Sequence, residues 1–203
     1  MLKSITAFAL VSVTLTSAQA QQVRPDPALV DRTINETFKS APPEWQARIV
    51  PDETQRVCSQ TRGQLSADQQ KKIVAEAQAS LAFPSDGALL GDWKRGEQLA
   101  QRGTGGQFSD NDKTPKGGNC YACHQMAEAE VSYGTLGPSL LNYGKIRKFD
   151  KEDTKAAYAK IYNAQATQAC SNMPRFGHQQ ILTEQQLRDL MALLLDPASP
   201  VNK

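Results

Sequence analysis

Beyond its first twenty residues this sequence has no long apolar run, no excess of one charge sign, no alternating strand pattern, no internal repeat and no low-complexity tract. The longest later apolar run, Met191 to Leu195, is little more than one helical turn, so nothing there can span a bilayer. Lysine and arginine number 23 against 21 acids, a formal charge of +2, and such a chain offers no field for gathering nucleic acid. Without period-2 alternation or any strand–helix–strand succession, the expected class is all-α. Ligating residues are few as well: two histidines and four cysteines in 203 residues. Where two of those cysteines and one histidine stand together, chemistry is expected.

The first twenty residues, MLKSITAFALVSVTLTSAQA, carry a single cation, Lys3, and an apolar run from Ile5 to about Leu15, too short to cross a bilayer. Ala18-Gln19-Ala20 follows. This predicts a secretory signal peptide over residues 1–20, cleaved before Gln21. Export places the protein in an oxidising, periplasmic space, where thiols pair unless something else claims them.

Residues 21–88 read as an N-terminal extension. Up to about residue 65 it has no long periodic segment and recurrent proline (Pro25, Pro27, Pro42, Pro43, Pro51), which suggests an extended arm. One helix is predicted within it, capped by Ser66, with Ile73, Val74, Ala77 and Leu81 on one face and Pro84 at its end. The rest, 89–203, reads as a domain. Trp93, Gly96 and Leu99 stack on a short helix, and a Gly/Asn/Asp/Pro loop covers 103–119. A further helix carries Ala157, Tyr158, Ile161 and Tyr162 on one side. The last begins with the capping box Thr183/Gln186 and runs through Leu187, Leu190, Met191 and Leu194 to Pro197.

The loop delivers the chain to CYACH, residues 120–124. A redox dithiol of the thioredoxin type needs its CxxC at a helix start after a buried strand, and none is predicted. A zinc site could recruit Cys58, Cys170 or His178, but these lack a tight ligand spacing. Both readings leave His124 idle. In C-x-x-C-H the two thiols add across the vinyl groups of a haem and the adjoining histidine ligates its iron, which employs Cys120, Cys123 and His124 together. The sixth iron ligand is expected to be Met173, in the proline-stiffened loop CSNMPRFGH, with His178 as the alternative. Met126 stands too near His124 to reach the opposite face, and Met191 lies in the leucine stripe. Pro138 is either a plain turn residue or the carbonyl that receives the His124 Nδ1–H. Gly96 permits a close crossing with the last helix. The thiols left over, Cys58 and Cys170, are expected to pair in an intrachain disulfide, the alternatives being two free buried cysteines or one bonded to a partner chain.

A glycine-bearing helix, CxxCH, GPxL, a Met-Pro loop and a C-terminal leucine helix resemble class I cytochromes c, and the likeness covers roughly residues 89–203. More narrowly, GNCYACH, TLGPSL followed by YGKIR, and NMPRFGH are similar to the SoxX subunits of the bacterial sulfur-oxidation system. That resemblance implies one covalent haem c and a SoxA-like haem subunit as heterodimeric partner. It also implies a SoxYZ-like carrier whose cysteine is oxidatively coupled to thiosulfate, and a downstream electron acceptor. The complex would act as an L-cysteine S-thiosulfotransferase, with this chain as its electron-transfer subunit and not catalytic alone. Two alternatives remain: a free-standing periplasmic electron carrier, and an open-haem protein that binds a small ligand. The basic cluster Lys145, Arg147, Lys148 and Lys151 is either a face for an acidic partner or a solvated stretch.

Overall fold

Gly96 sits where two helices almost touch. A Cβ placed on it would stand 2.1 Å from the carbonyl oxygen of Asp189 and 3.0 Å from Leu193 Cβ. Only a residue without a side chain lets α5 (Trp93–Gln101) lie this close to α8 (Glu184–Leu195). This crossing organises the computed structural model, which describes residues 26–203 apart from 108 and 112. The predicted signal peptide lies outside the described residues, and Glu44 and Ala47 are described in their backbone only.

Helix α8 opens with the Thr183/Gln186 capping box and is buried on every side over its last two turns, Leu190 to Leu195. A helix apolar all round belongs at the centre of a fold. Around it pack Leu99 and Ala100 of α5, Tyr158 and Ile161 of α7 (Lys151–Tyr162), and Tyr121, Met126, Phe176 and Val201 from the connecting segments. Each fully buried Leu contributes about 1.5–3 kcal/mol. Asn202, near the C-terminus, closes one end of this core. Its Oδ1 accepts from the backbone N–H of Gly144, at the start of the short α6 (Tyr143–Ile146), at 2.9 Å. Its Nδ2 donates to the carbonyls of Leu194 and Asp196, each at 3.0 Å.

A buried carboxylate fastens the α5–α8 crossing from the other side. Asp189 accepts from the Asp92 backbone N–H, from Arg95 Nε and Nη2, and from Gln185 Nε2, all between 2.8 and 2.9 Å. Burial pushes its pKa up, but the Arg95 guanidinium, the Asp92 N–H and Gln185 outweigh that and hold it below the usual carboxylate value.

The expectation of one helix in the extension needs correction, because the described part carries four. They are α1 (Pro27–Thr37), α2 (Pro43–Ile49), α3 (Glu53–Thr61) and α4 (Ala67–Ala79). Only α4 matches the predicted helix, with Ser66 and Gln69 forming its capping box and Ile73 and Ala77 buried. The prolines that read as breakers are starts instead: Pro27 and Pro43 occupy first helical positions, where a missing N–H costs nothing. The expected boundary at residue 88 is also not a packing boundary. Residues from Pro42 to Lys203 form one compact unit, and the described residues before Pro42, which include α1, belong to another. Within the larger unit, Gln78 Nε2 donates to the Ala166 carbonyl (3.1 Å), Asn163 Nδ2 to Ser80 Oγ (3.0 Å), and Phe83 stacks on Tyr158 at 5.4 Å. Among the described residues there are α-helices and single 3₁₀ turns and no strand, the all-α class expected from the sequence.

Candidate haem site

The end of α5 fixes where CYACH begins. Gly118 N–H donates to the Leu99 carbonyl (2.8 Å) and Asn119 N–H to that of Arg102 (3.1 Å). Asn119 then turns through a left-handed conformation (φ 47°), and Cys120–Ala122 forms a single 3₁₀ turn closed by Cys123 N–H and His124 N–H on the Cys120 carbonyl. In that turn Tyr121 points into the core while Cys120, Cys123 and His124 stay half-buried. Both thiols are free. Burial pushes the Cys120 thiol up to about 12, with Cys123 adding a smaller push. A redox dithiol needs the opposite, a thiol depressed into the thiolate range at a helix start.

The segment after CYACH folds back over it. Gly134 N–H donates to the Tyr121 carbonyl, Gly137 N–H to that of Cys123, and Leu140 N–H to that of Gln125, at 2.9, 2.8 and 2.7 Å. This brings the Pro138 carbonyl 2.7 Å from His124 Nδ1. A carbonyl oxygen can only accept, so Nδ1 carries the proton and Nε2 presents its lone pair. Glycine at 137 leaves room for the ring, since a Cβ there would stand 2.2 Å from His124 Cε1 and 2.6 Å from Nδ1. The spacing of GTLGPSL displays both glycines, but not that Gly137 makes room for the imidazole while Gly134 lies against the Ala122 carbonyl.

Met173 is half-buried against the core, on the loop between Thr167 and Gln180, whereas Met126 and Met191 are core side chains, 2% and 0% exposed. His178 is exposed. It lines a cavity of about 220 Å³ with Asp52, Glu76, Asn163 and Arg175. Burial lowers its pKa, the Arg175 charge lowers it further, and Asp52 opposes both. Cys58 and Cys170 are joined by a disulfide, with Cα atoms 5.4 Å apart. Those two sulfurs are therefore spent, which removes them from any zinc set. The Asp52–Arg175 ion pair, 123 residues apart in sequence, was not legible there at all.

These residues fit a covalently held haem. Two unpaired thiols stand beside a histidine whose Nδ1 is anchored and whose Nε2 is free to ligate. Elsewhere a cleft of about 860 Å³, within the size range of cofactor pockets, has Tyr158, Tyr162, Ile181, Leu182 and Leu187 as apolar wall residues. It is flanked by Lys113–Lys116, which leads into CYACH, and by Gly177, four residues past Met173 on the same loop. Neither thiol nor His124 lines it, so the fit rests on CYACH itself.

The family model for cytochrome c matches residues 93–196. An uncharacterized lipoprotein of Aquifex aeolicus (strain VF5) is 37% identical over 134 residues, which is 65% of this chain and 63% of that protein's length. The chain thus spans less than two thirds of this relative. With half of its length matched and the attachment motif inside the match, the chain belongs to the cytochrome c family, whose haem c is covalently bound.

Proposed function

We propose that this chain is an exported single-haem electron-transfer subunit, with haem attached at Cys120 and Cys123, His124 as proximal iron ligand and Met173 as distal ligand. The observation that carries the reading is the 2.7 Å contact of His124 Nδ1 with the Pro138 carbonyl, next to two free thiols. The bound group supplies a one-electron Fe(III)/Fe(II) couple. The chain's own residues hold the imidazole in one tautomer, exclude water around Tyr121 and Met126, and present a thioether, a ligand that favours Fe(II) and raises the potential. Export is supported by the signal-like first twenty residues and by the lipoprotein name of the Aquifex relative.

In its finer form the proposal places this chain beside a SoxA-like haem subunit, as the electron-accepting half of a thiosulfate-coupling complex. Joining a carrier cysteine thiolate to thiosulfate forms one S–S bond and releases two electrons, which a one-electron haem held by Cys120, Cys123 and His124 would have to pass on to a downstream acceptor one at a time. GNCYACH, TLGPSL, YGKIR and NMPRFGH support this reading. The test is reduction of the ferric haem by thiosulfate with a SoxYZ-like carrier, followed at the Fe(II) absorbance bands. Reduction is expected only when the SoxA-like subunit is added. Equal rates for the isolated chain would identify a free-standing carrier.

A further inference from the structure

Met173 sits on a stretch with little structure of its own. From Ser171 to Pro174 the described hydrogen bonds are local: Ser171 N–H to the Gln168 carbonyl (3.2 Å) and Met173 N–H to Ser171 Oγ (3.3 Å). Two long-range anchors flank it directly, one from α3 and one from its N-cap residue; just beyond them Phe176 is buried in the core and the Gly177 and His178 N–H groups donate to the Tyr162 carbonyl, each at 3.1 Å. Three residues before Met173, Cys170 is bonded to Cys58; two residues after it, Arg175 Nη2 donates to Asp52 Oδ2 at 2.5 Å. Asp52 and Cys58 are six residues apart, so the two attachment points lie about 9 Å apart along one rigid helix.

Neither anchor is a casual surface contact. The Arg175 side chain is only 8% exposed, and a guanidinium at that depth requires a carboxylate. Asp52 divides its oxygens: Oδ1 caps α3 by accepting from Gln55 N–H at 2.8 Å, which leaves Oδ2 for Arg175. Cys170 is held in the left-handed region (φ 56°) while its N–H donates to Gln165 Oε1 at 2.8 Å. Helix α3 has no fully buried residue, though Thr54 to Cys58 are half-buried, and these two attachments join it to the Met173 loop.

We propose that α3 is a positioning element for the distal iron ligand: the Cys58–Cys170 bridge and the Asp52–Arg175 pair clamp the Met173 segment at both ends and set how often its thioether leaves the iron. This rests on Met173 being that ligand. Asp52 and Arg175 are then positioning residues, acting on the iron only through the loop between them.

The experiment uses the ferric holoprotein and imidazole, a small ligand that binds the iron only when the thioether has departed. Asp52→Asn removes the charge but keeps the helix cap, because asparagine caps as well as aspartate. A doubly substituted Cys58→Ser/Cys170→Ser protein removes the bridge. Apparent imidazole affinity, followed by loss of the far-red sulfur-to-iron band, is expected to rise about tenfold in Asp52→Asn and further when both anchors are removed. Backbone hydrogen exchange at Ser171–Arg175 is expected to accelerate in step while that of α8 stays unchanged. A lowered melting temperature with unchanged imidazole affinity and exchange would make the anchors merely structural and overturn the clamp. Absence of the far-red band from the unmodified protein would overturn the Met173 assignment, and the clamp with it.

Discussion

His124 is oriented by one carbonyl and by the side chain that residue 137 does not have. Replacing Gly137 with alanine sets a methyl 2.2 Å from Cε1, a distance no real Cβ keeps, so the ring or the loop must move. The loop has little freedom, because Gly137 N–H is itself bound to the Cys123 carbonyl at 2.8 Å. The strain therefore falls on the Nδ1–Pro138 contact. Gly137→Ala is expected to lower covalent haem incorporation, read as haem absorbance per unit protein, and to destabilise the protein by about 1–3 kcal/mol. Unchanged incorporation and melting temperature would mean that the ring is held by something else. The sequence displayed His124 through its motif, but left Pro138 open between a plain turn residue and the carbonyl that the structure places 2.7 Å from His124 Nδ1. It did not display the glycine's role, which depends on a loop folding back thirteen residues later.

At the scale of elements, caps were legible and distant pairings were not. Ser66/Gln69 and Thr183/Gln186 announce α4 and α8 because a capping box is written within four residues. Gly96 pointed to a close helix crossing because a glycine in mid-helix needs a reason. Helices α1 to α3 were not legible: all are short, α1 and α2 start on prolines that read as breakers, and α3, though it opens on an Asp52/Gln55 capping box, follows Pro51. Asp189 escaped too, since its partner Arg95 is 94 residues away. Its native carboxyl is held below its ordinary value, so the stability it adds is fully present above the unfolded pKa of about 4 and is lost as pH falls through the lower native value. Asp189→Asn is expected to cost about 1–3 kcal/mol at neutral pH. It is also expected to flatten the acid side of the stability curve below about pH 4, measured by denaturant unfolding at several pH values. A parallel curve of equal slope would assign that acid sensitivity to other carboxylates.

For the whole molecule, the question is whether residues 42–88 are an appendage or part of the folding unit. Helix α3 has no fully buried residue and α4 has only Ile73 and Ala77, so the segment cannot supply a core alone. What it supplies is attachment. The Cys58–Cys170 bridge spans 112 residues and restricts the unfolded chain by about 4–5 kcal/mol in the loop-entropy account. The Asp52–Arg175 pair, the Ser80–Asn163 bond and the Phe83–Tyr158 stack each fasten a different part of the segment to the haem-bearing half. Deleting everything before residue 89 would leave Cys170 unpaired, Arg175 buried without a carboxylate and one face of Tyr158 bare. Such a holoprotein is expected to melt about 10 °C below the full chain, with the Cys58→Ser/Cys170→Ser protein falling between them. The order matters more than the size, because it separates the covalent tether from the polar and aromatic contacts that accompany it. If the shortened protein melts within about 2 °C of the full chain, the haem-bearing half is self-sufficient, and the segment is free to serve a partner instead.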